Sequence, residues 1–448
     1  MKLPHPPPNT SSLFATLDGE DVRKILELQP GPLVRDAYLH WDELIHRDPP
    51  GDLDYERWWL GIKWARQALL KPLPLMDKAG HPFLFGAPEP VQIDLHHIDQ
   101  DAAGEIKSAT ETATPATRDR YLLRSVIEEA ITSSQLEGAS TTRKVAAEML
   151  RSGRAPKDRS ERMILNNFMA MRAIQGFKDE PLTPARILDI HRMVSDQTLD
   201  DPSDVGRLRQ SNDIHVINND DGTVLHQPPD WRELPERLER ICAFANAGEE
   251  QRPFVHPVLR AILLHFMVGY DHPFADGNGR TARAIFYWSM LRSEYWLAEF
   301  ISISHILRKA PAQYGRAYLF AETDGGDTTY FLIHQLATIR KAIRSLHDYL
   351  GRKAKEQRGM ERLLAESPTL HARLNHRQKA LLTHALKHPG AGYHIEEHQK
   401  THSVVYQTAR ADLLRLAELG LLEKIREGRA FVFVAPEDLT TRMSNLGK

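Results

Sequence analysis

Within twelve residues, His272 to Arg283, the segment HPFADGNGRTAR sets out a base, a carboxylate, a glycine-rich turn and two arginines. An imidazole takes a proton from an attacking hydroxyl near neutral pH, so His272 reads as a general base. A turn that opens a helix presents unpaired backbone N–H groups at the positive end of the helix dipole, and Gly277 and Gly279 let that backbone approach a polyphosphate closely. Arg280 and Arg283, three apart on a helix starting near Asn278, project from similar sides and each offers phosphate oxygens a planar donor fork. Asp276, a lone carboxylate beside those phosphates, suits Mg2+ that keeps most of its waters. Taken singly, the same residues also suit a capping histidine, a turn and a solvated helix face. Arg280 and Thr281 stand where a calcium loop needs a ligand and a glycine, and no Walker A pattern is present.

Such a segment works only if helices hold both of its ends. Val258, Leu259, Ile262, Leu263, Phe266, Met267 and Tyr270 write an apolar helix before it, and AIFYWSML (284–291) continues as a helix after it. Leu122, Leu123, Val126, Ile127, Ala130 and Ile131 repeat at three- and four-residue spacing, which predicts a further helix. In INNDDGTVLHQPP (217–229), Asp-Asp-Gly lies between β-favouring residues, as in a small hairpin. The fold class expected is mainly α, a helical bundle with one β-hairpin.

HPFADGNGRTAR resembles the Fic motif, H-x-F-x-[DE]-G-N-G-R-x-x-R, with all eight specified positions present. The resemblance implies a protein adenylyltransferase that moves AMP from ATP to a Ser, Thr or Tyr hydroxyl of a target protein. It implies His272 as the base, Phe274 packing the loop into the core, and Asp276 holding Mg2+ at the ATP phosphates. Gly277, Asn278, Gly279 and Arg280 would form the anion hole, with Arg283 at the γ-phosphate. The hairpin at 217–229 resembles the family's flap, which aligns a target segment by strand addition.

SSQLEG (133–138) resembles the inhibitory motif of the same family, [ST]-x-x-x-E-[GN]. Ser133 and Glu137 stand one helical turn apart, and Gly138 suits a helix C-terminus. The resemblance implies that Glu137 pairs with Arg283 and withholds it from the γ-phosphate, a brake carried in the same chain. The same glutamate orients water for AMP removal in some relatives, so removal stands as an alternative to transfer.

Further along, LNHRQKALLTHALK (374–387) reads as an amphipathic helix. The stretch 404–425 turns helical and ends at Gly420, and GRAFVFVA (428–435) alternates like a strand. The order resembles a winged helix-turn-helix. Residues 371–435 hold ten Lys or Arg against six Asp or Glu, locally +4 in a chain of formal charge −2. A nucleic-acid face is therefore expected there, with Gln407, Thr408, Arg410 and Arg415 as DNA contacts; protein contact is the other reading, and a DNA-binding regulator with a nucleotide-sensing Fic domain is the rival to an enzyme.

The 448 residues divide on this reading into an N-terminal domain without assigned role (1–110), a catalytic domain (111–350), a helical linker (351–370) and the winged helix (371–448). Leu13, Phe14, Leu26, Trp41, Trp58 and Trp59 predict helices in the first part, and proline and glycine around 72–91 predict loops or a short hairpin. Cys242 is the single cysteine, which excludes an intramolecular disulfide and a cysteine-rich zinc site and fits a cytoplasmic setting. No run of 18 apolar residues occurs, so no membrane span is expected. Expected partners are ATP, a target protein, the chain itself as substrate, and DNA; a homodimer is left open.

Overall fold

The computed structural model describes residues 2–102, 115–218, 221–366, 372–427 and 430–447. It is mainly helical. The chain separates into two compact units, Met1–Gly104 with Arg124–Ile343, and Glu105–Leu123 with Arg344–Lys448.

The first unit begins with α1 (Thr10–Thr16), α2 (Gly19–Leu28), α3 (Trp41–Leu44) and α4 (Tyr55–Gln67). They pack around Ile25, Leu44, Trp58, Trp59 and Ile62. Asp18 caps α2 in a reciprocal box with Asp21, which satisfies donors that a helix start leaves unpaired. An antiparallel hairpin of β1 (Lys71–Met76) and β2 (Pro82–Phe85) follows. Pro72 and Pro74 are its exposed positions, where a missing N–H costs no ladder bond in the core. After α5 (Glu89–Ala102) come α6 (Pro115–Leu136), α7 (Arg143–Ser152), α8 (Arg159–Phe177) and α9 (Pro184–Ser195). β3 (Val216–Ile217) and β4 (Val224–His226) form the second hairpin.

α10 (Leu234–Asn246) precedes the two central helices, α11 (Pro257–Asp271) and α12 (Asn278–Arg292). Pro257 starts α11 and the His256 ring caps it. Nearly every side chain of both helices is buried, since each is surrounded by others: α12 packs on α8, α9 and α11. A helix buried on every side marks the centre of a bundle. α13 (Ile303–Leu307), α14 (Pro311–Thr323) and the long α15 (Thr329–Glu366) complete the bundle. The N-terminal helices are fastened to it through buried polar bonds: Arg66 Nη1 donates to the Tyr330 hydroxyl at 2.7 Å, and Tyr38 donates to Asp327 at 2.6 Å.

The second unit carries α16 (His376–Lys387), α17 (Ile395–His402), α18 (Tyr406–Glu418) and α19 (Leu439–Gly447). Its sheet has the order β5 (Gly392–Tyr393), β7 (Ala430–Val434), β6 (Glu423–Glu427). Leu381, Leu382, Leu413, Leu416, Leu421 and Phe433 form its core. Asp412 ties three helices together, accepting from Asn375 at 2.6 Å, Arg377 at 2.7 Å and His398 at 3.2 Å. Among the described residues no helix is long and apolar enough to cross a membrane.

Candidate active site

The loop between α11 and α12 is built around two rings and one amide. His272 closes α11 in the left-handed region, with φ 45°, a conformation that costs a non-glycine residue on the order of 1 kcal/mol or more. Three bonds hold it there. Its N–H donates to the Val268 carbonyl at 3.2 Å, its Nδ1 pairs with the Gly269 carbonyl at 2.9 Å, and its own carbonyl accepts from Arg209 Nε at 2.9 Å. A carbonyl only accepts, so Nδ1 carries the proton and Nε2 keeps its lone pair. Burial pushes the imidazole below its usual pKa, which keeps it neutral; the Gly269 bond and the Glu137 charge act in the opposite direction.

Phe274 is fully buried and stacks on His191, with centroids 3.7 Å apart and planes 3° apart. The Asn278 side chain closes the loop, accepting from the Phe274 N–H at 2.9 Å and donating to its carbonyl at 2.8 Å. His191 braces the next turn: its Nδ1 accepts from the Gly206 N–H at 3.1 Å, so Nε2 carries the proton and donates to the Asp276 carbonyl at 2.9 Å. Gly277 then turns into α12 with φ 85°, where a side chain would also press on His191 at 3.3 Å. The Asp276 carboxylate is half-exposed at the mouth, with Arg280 at 3.7 Å and Arg159 at 3.9 Å.

Arg280 is fully buried and gives Nη1 to the Val194 carbonyl at 2.6 Å, while its Nε and Nη2 have no hydrogen-bond partner. Two unpaired guanidinium donors beside a helix N-terminus are a poor end state in a protein interior and suit an anion. Arg283 is engaged. Its Nε donates to the Ser133 hydroxyl at 2.8 Å, and its Nη2 donates to the Ser133 carbonyl at 3.0 Å and to Glu137 Oε1 at 2.7 Å. Burial alone would raise the Glu137 carboxyl, but the Arg283 charge and hydrogen bond hold it below the usual range. The same oxygen lies 2.1 Å from where a Cβ on Gly279 would stand. The Glu137 carboxylate thus rests on the first turn of α12. Gly138 follows with φ 92° and ends the helix.

Glu137, His272, Asp276, Asn278, Gly279 and Arg283 line one cleft of about 520 Å³, together with His226 and Leu225 of the second hairpin and Tyr314 and Tyr318 of α14. That volume suits a nucleotide-sized ligand. Arg209 links the hairpin to the catalytic loop, donating to the carbonyls of Pro229 at 2.5 Å and Ser211 at 2.8 Å as well as to His272. His226 joins β4 to the end of α11 and to α14 through the Tyr270 carbonyl and the Glu322 carboxylate, each at 2.7 Å. Asp271, beside His272, pairs with Arg237 at 2.8 Å. Arg237 also reaches the Met76 carbonyl at 2.5 Å.

Of the residues singled out between Ser133 and Arg283, Glu137, His272, Asp276, Asn278, Gly279 and Arg283 line this cleft, while Ser133 bonds to Arg283 behind it and Arg280 bonds to Val194. Gln407, Thr408, Arg410 and Arg415 lie on α18 in the second unit, and Thr408 is less exposed than the other three. Sequence reading missed His191, Arg209, Arg237 and Glu129. His191 sits in an ordinary amphipathic helix, and only the run GRLRQ before the hairpin hinted at Arg209.

Residues 181–290 match the Fic/DOC family. The chain is similar to "Protein adenylyltransferase Fic" of Drosophila mojavensis, 28% identical over 205 residues that span 45% of this chain and 38% of that protein. Its counterpart in Culex quinquefasciatus is 26% identical over 214 residues, spanning 45% of this chain and 40% of that one. The chain therefore spans about two fifths of the length of these curated relatives. The crystal structure of a Fic family protein from Desulfovibrio desulfuricans G20 aligns with a TM-score of 0.50 and 18% identity, covering 78% of this chain and 96% of that one. That likeness is one of fold. Motif and matched segment agree on one stretch of the chain, residues 181–290, which is similar to the Fic/DOC family.

Proposed function

We propose that the protein transfers AMP from ATP to a Ser, Thr or Tyr hydroxyl of a target protein, and that Glu137 restrains it. The observation carrying this reading is His272: Nδ1 is committed to Gly269, Nε2 is left for chemistry, and the ring lines the same cleft as Asp276, Arg283 and the first turn of α12, Asn278 and Gly279. The target hydroxyl gives its proton to Nε2 as its oxygen bonds to the α-phosphorus. The bond from that phosphorus to the bridging oxygen breaks, and pyrophosphate leaves. The backbone of Gly277 to Arg280 and the free donors of Arg280 offset the charge that develops, which makes positioning and preorganised electrostatics the main contributions.

Mg2+ fits this donor set, since Asp276 has a half-exposed carboxylate at the mouth and orphaned cationic donors mark the phosphate side. When bound, the ion would offset phosphate charge. The second hairpin serves as the ledge for the target segment, with Ile217 and Val224 exposed on it. Incubating the Glu137→Gly protein with labelled ATP, followed by mass spectrometry, tests the reading. An added mass of one AMP supports it. Uptake of a different group, or none, overturns it.

A second activity rests on the second unit. We propose that α18 meets duplex DNA: Gln407, Arg410 and Arg415 are exposed along it, Thr408 is partly exposed, and Lys424 and Arg426 are exposed on β6. Side chains of this kind grip phosphates and base edges. Titration of the full chain with fluorescent duplex DNA over a range of salt tests it, and salt-independent or absent binding points to protein contact instead.

A further inference from the structure

The proposed brake depends on α6 standing at one height against α12. Glu129, Ser133 and Glu137 follow at four-residue spacing and so share a stripe of α6 and its end. Ser133 and Glu137 meet Arg283. Glu129, one turn earlier, is 1% exposed, and its charge adds to that of Glu137 in favouring the charged form of Arg283. A carboxylate this deep is costly unless every lone pair finds a donor.

Donors to it come from the start of α13, and the Tyr287 hydroxyl of α12 stands beside it as well. Oε2 accepts from the Ser302 hydroxyl at 2.8 Å and the Ser304 N–H at 3.1 Å, and Oε1 accepts from the Ser304 hydroxyl at 2.5 Å. The same segment grips α6 at further points. Ser125 donates to the Phe300 carbonyl at 2.7 Å, Thr132 meets Ser302 at 3.2 Å, and Glu128 meets His305 at 3.1 Å. Tyr287, one turn after Arg283, accepts from the Ile303 N–H at 3.0 Å and so fixes the segment to α12. The segment 300–305 therefore bridges the helix that carries Glu137 and the helix that carries Arg283.

We infer that Glu129 is a positioning residue of the brake: through Ser302 and Ser304 it sets the height of α6 on which the meeting of Glu137 and Arg283 depends. The inference rests on the proposed AMP transfer and its restraint by Glu137. Loosening this anchor lets α6 slide or fray, and a shift of an ångström or two is enough to part a hydrogen-bonded pair. A partner that draws segment 300–305 away would release the enzyme by the same route.

The test is a double-mutant comparison of AMP incorporation at fixed ATP and Mg2+. Glu129→Gln, and separately Ser304→Ala, are placed in the native chain and in the Glu137→Gly chain, with a thermal melt of each to confirm folding. The expected result is a roughly fivefold or greater rise in the native background and none in the Glu137→Gly background, the signature of two residues acting through one element. A merely structural carboxylate would lower the rate in both backgrounds, or leave both unchanged, and either result overturns the inference. So does an equal rise in both. If Glu137→Gly itself incorporates AMP no faster than the native chain, the brake fails, and this inference with it. Ser304→Ala leaves Glu129 in place, so agreement between the two variants separates loss of the anchor from a fault in folding.

Discussion

Glu137 and Arg283 meet at 2.7 Å, with the arginine 2% exposed and the glutamate 26% exposed. The pair lies largely inside the protein, with the arginine enclosed and the carboxylate reaching the cleft. On the proposed reading, a triphosphate entering the cleft and the Glu137 carboxylate would compete for the same guanidinium.

Glu137→Gly is expected to raise AMP transfer, self-modification included. Coupling of this type is worth about 5–150-fold. Glu137→Gln should raise it less, because the amide keeps the bulk over Gly279 but not the charge. Arg283→Ala in the Glu137→Gly background should lose most of the gain. Rates of AMP incorporation for these variants and the native chain decide it, and equal rates for native and Glu137→Gly would send the brake elsewhere.

The same substitution is expected to destabilise. Without Glu137, Arg283 loses its carboxylate partner and keeps Ser133 and the Tyr314 hydroxyl, and a buried charged donor left short of an acceptor costs on the order of 1–3 kcal/mol. Saturating ATP with Mg2+ should restore the melting temperature by mass action. The pH dependence has a definite sign. The folded pKa of Glu137 lies below the unfolded one, so its stabilisation is fully present above the unfolded value of about 4.3 and is lost as pH falls through the folded value. The gap in melting temperature between native and Glu137→Gly chains should hold near neutrality and close in acid. A gap that widens in acid would mean that the carboxylate is not held by Arg283.

His272→Ala in the Glu137→Gly background is expected to cost about 10²–10⁴-fold in transfer while ATP still binds, since the base goes and the cradle stays. Burial lowers the imidazole pKa and the Glu137 charge opposes that, so the Glu137→Gly protein should hold its rate on a plateau down to or below the ordinary histidine value of about 6.5. A pH–rate midpoint well above 7 would contradict a buried neutral base.

The parts of this site legible in the sequence are those whose chemistry is consecutive. HPFADGNGRTAR carries its own geometry, because a loop between two apolar helices needs no distant residue to be read. SSQLEG could be read because one helical turn sets the separation of Ser133 and Glu137. What escaped are residues that act across long separations: Arg209 on His272, His191 on the Asp276 carbonyl, Glu129 on Ser302. Each looks locally like a helix or loop residue, and only packing gives it a partner. The strand Glu423–Glu427 was likewise missed, since its alternation is weak and its pairing with β7 supplies the order.

Arg209 gives the last expectation. Its guanidinium holds the His272 carbonyl, and through Pro229 and Ser211 it holds both ends of the second hairpin, while its backbone N–H donates to the Pro273 carbonyl at 2.9 Å. Base and ledge therefore share one support. Arg209→Met should leave ATP binding near the native level, lower kcat about 10²-fold through misplacement of the base, and speed hydrogen exchange in segment 214–226. Arg209→Lys should not rescue it, because a single ammonium cannot serve carbonyls lying in different directions as a planar fork does. The comparison is made in the Glu137→Gly background, so that the brake does not mask the loss. Full activity in Arg209→Met, or rescue by lysine, would show that the hairpin and His272 are positioned independently of each other.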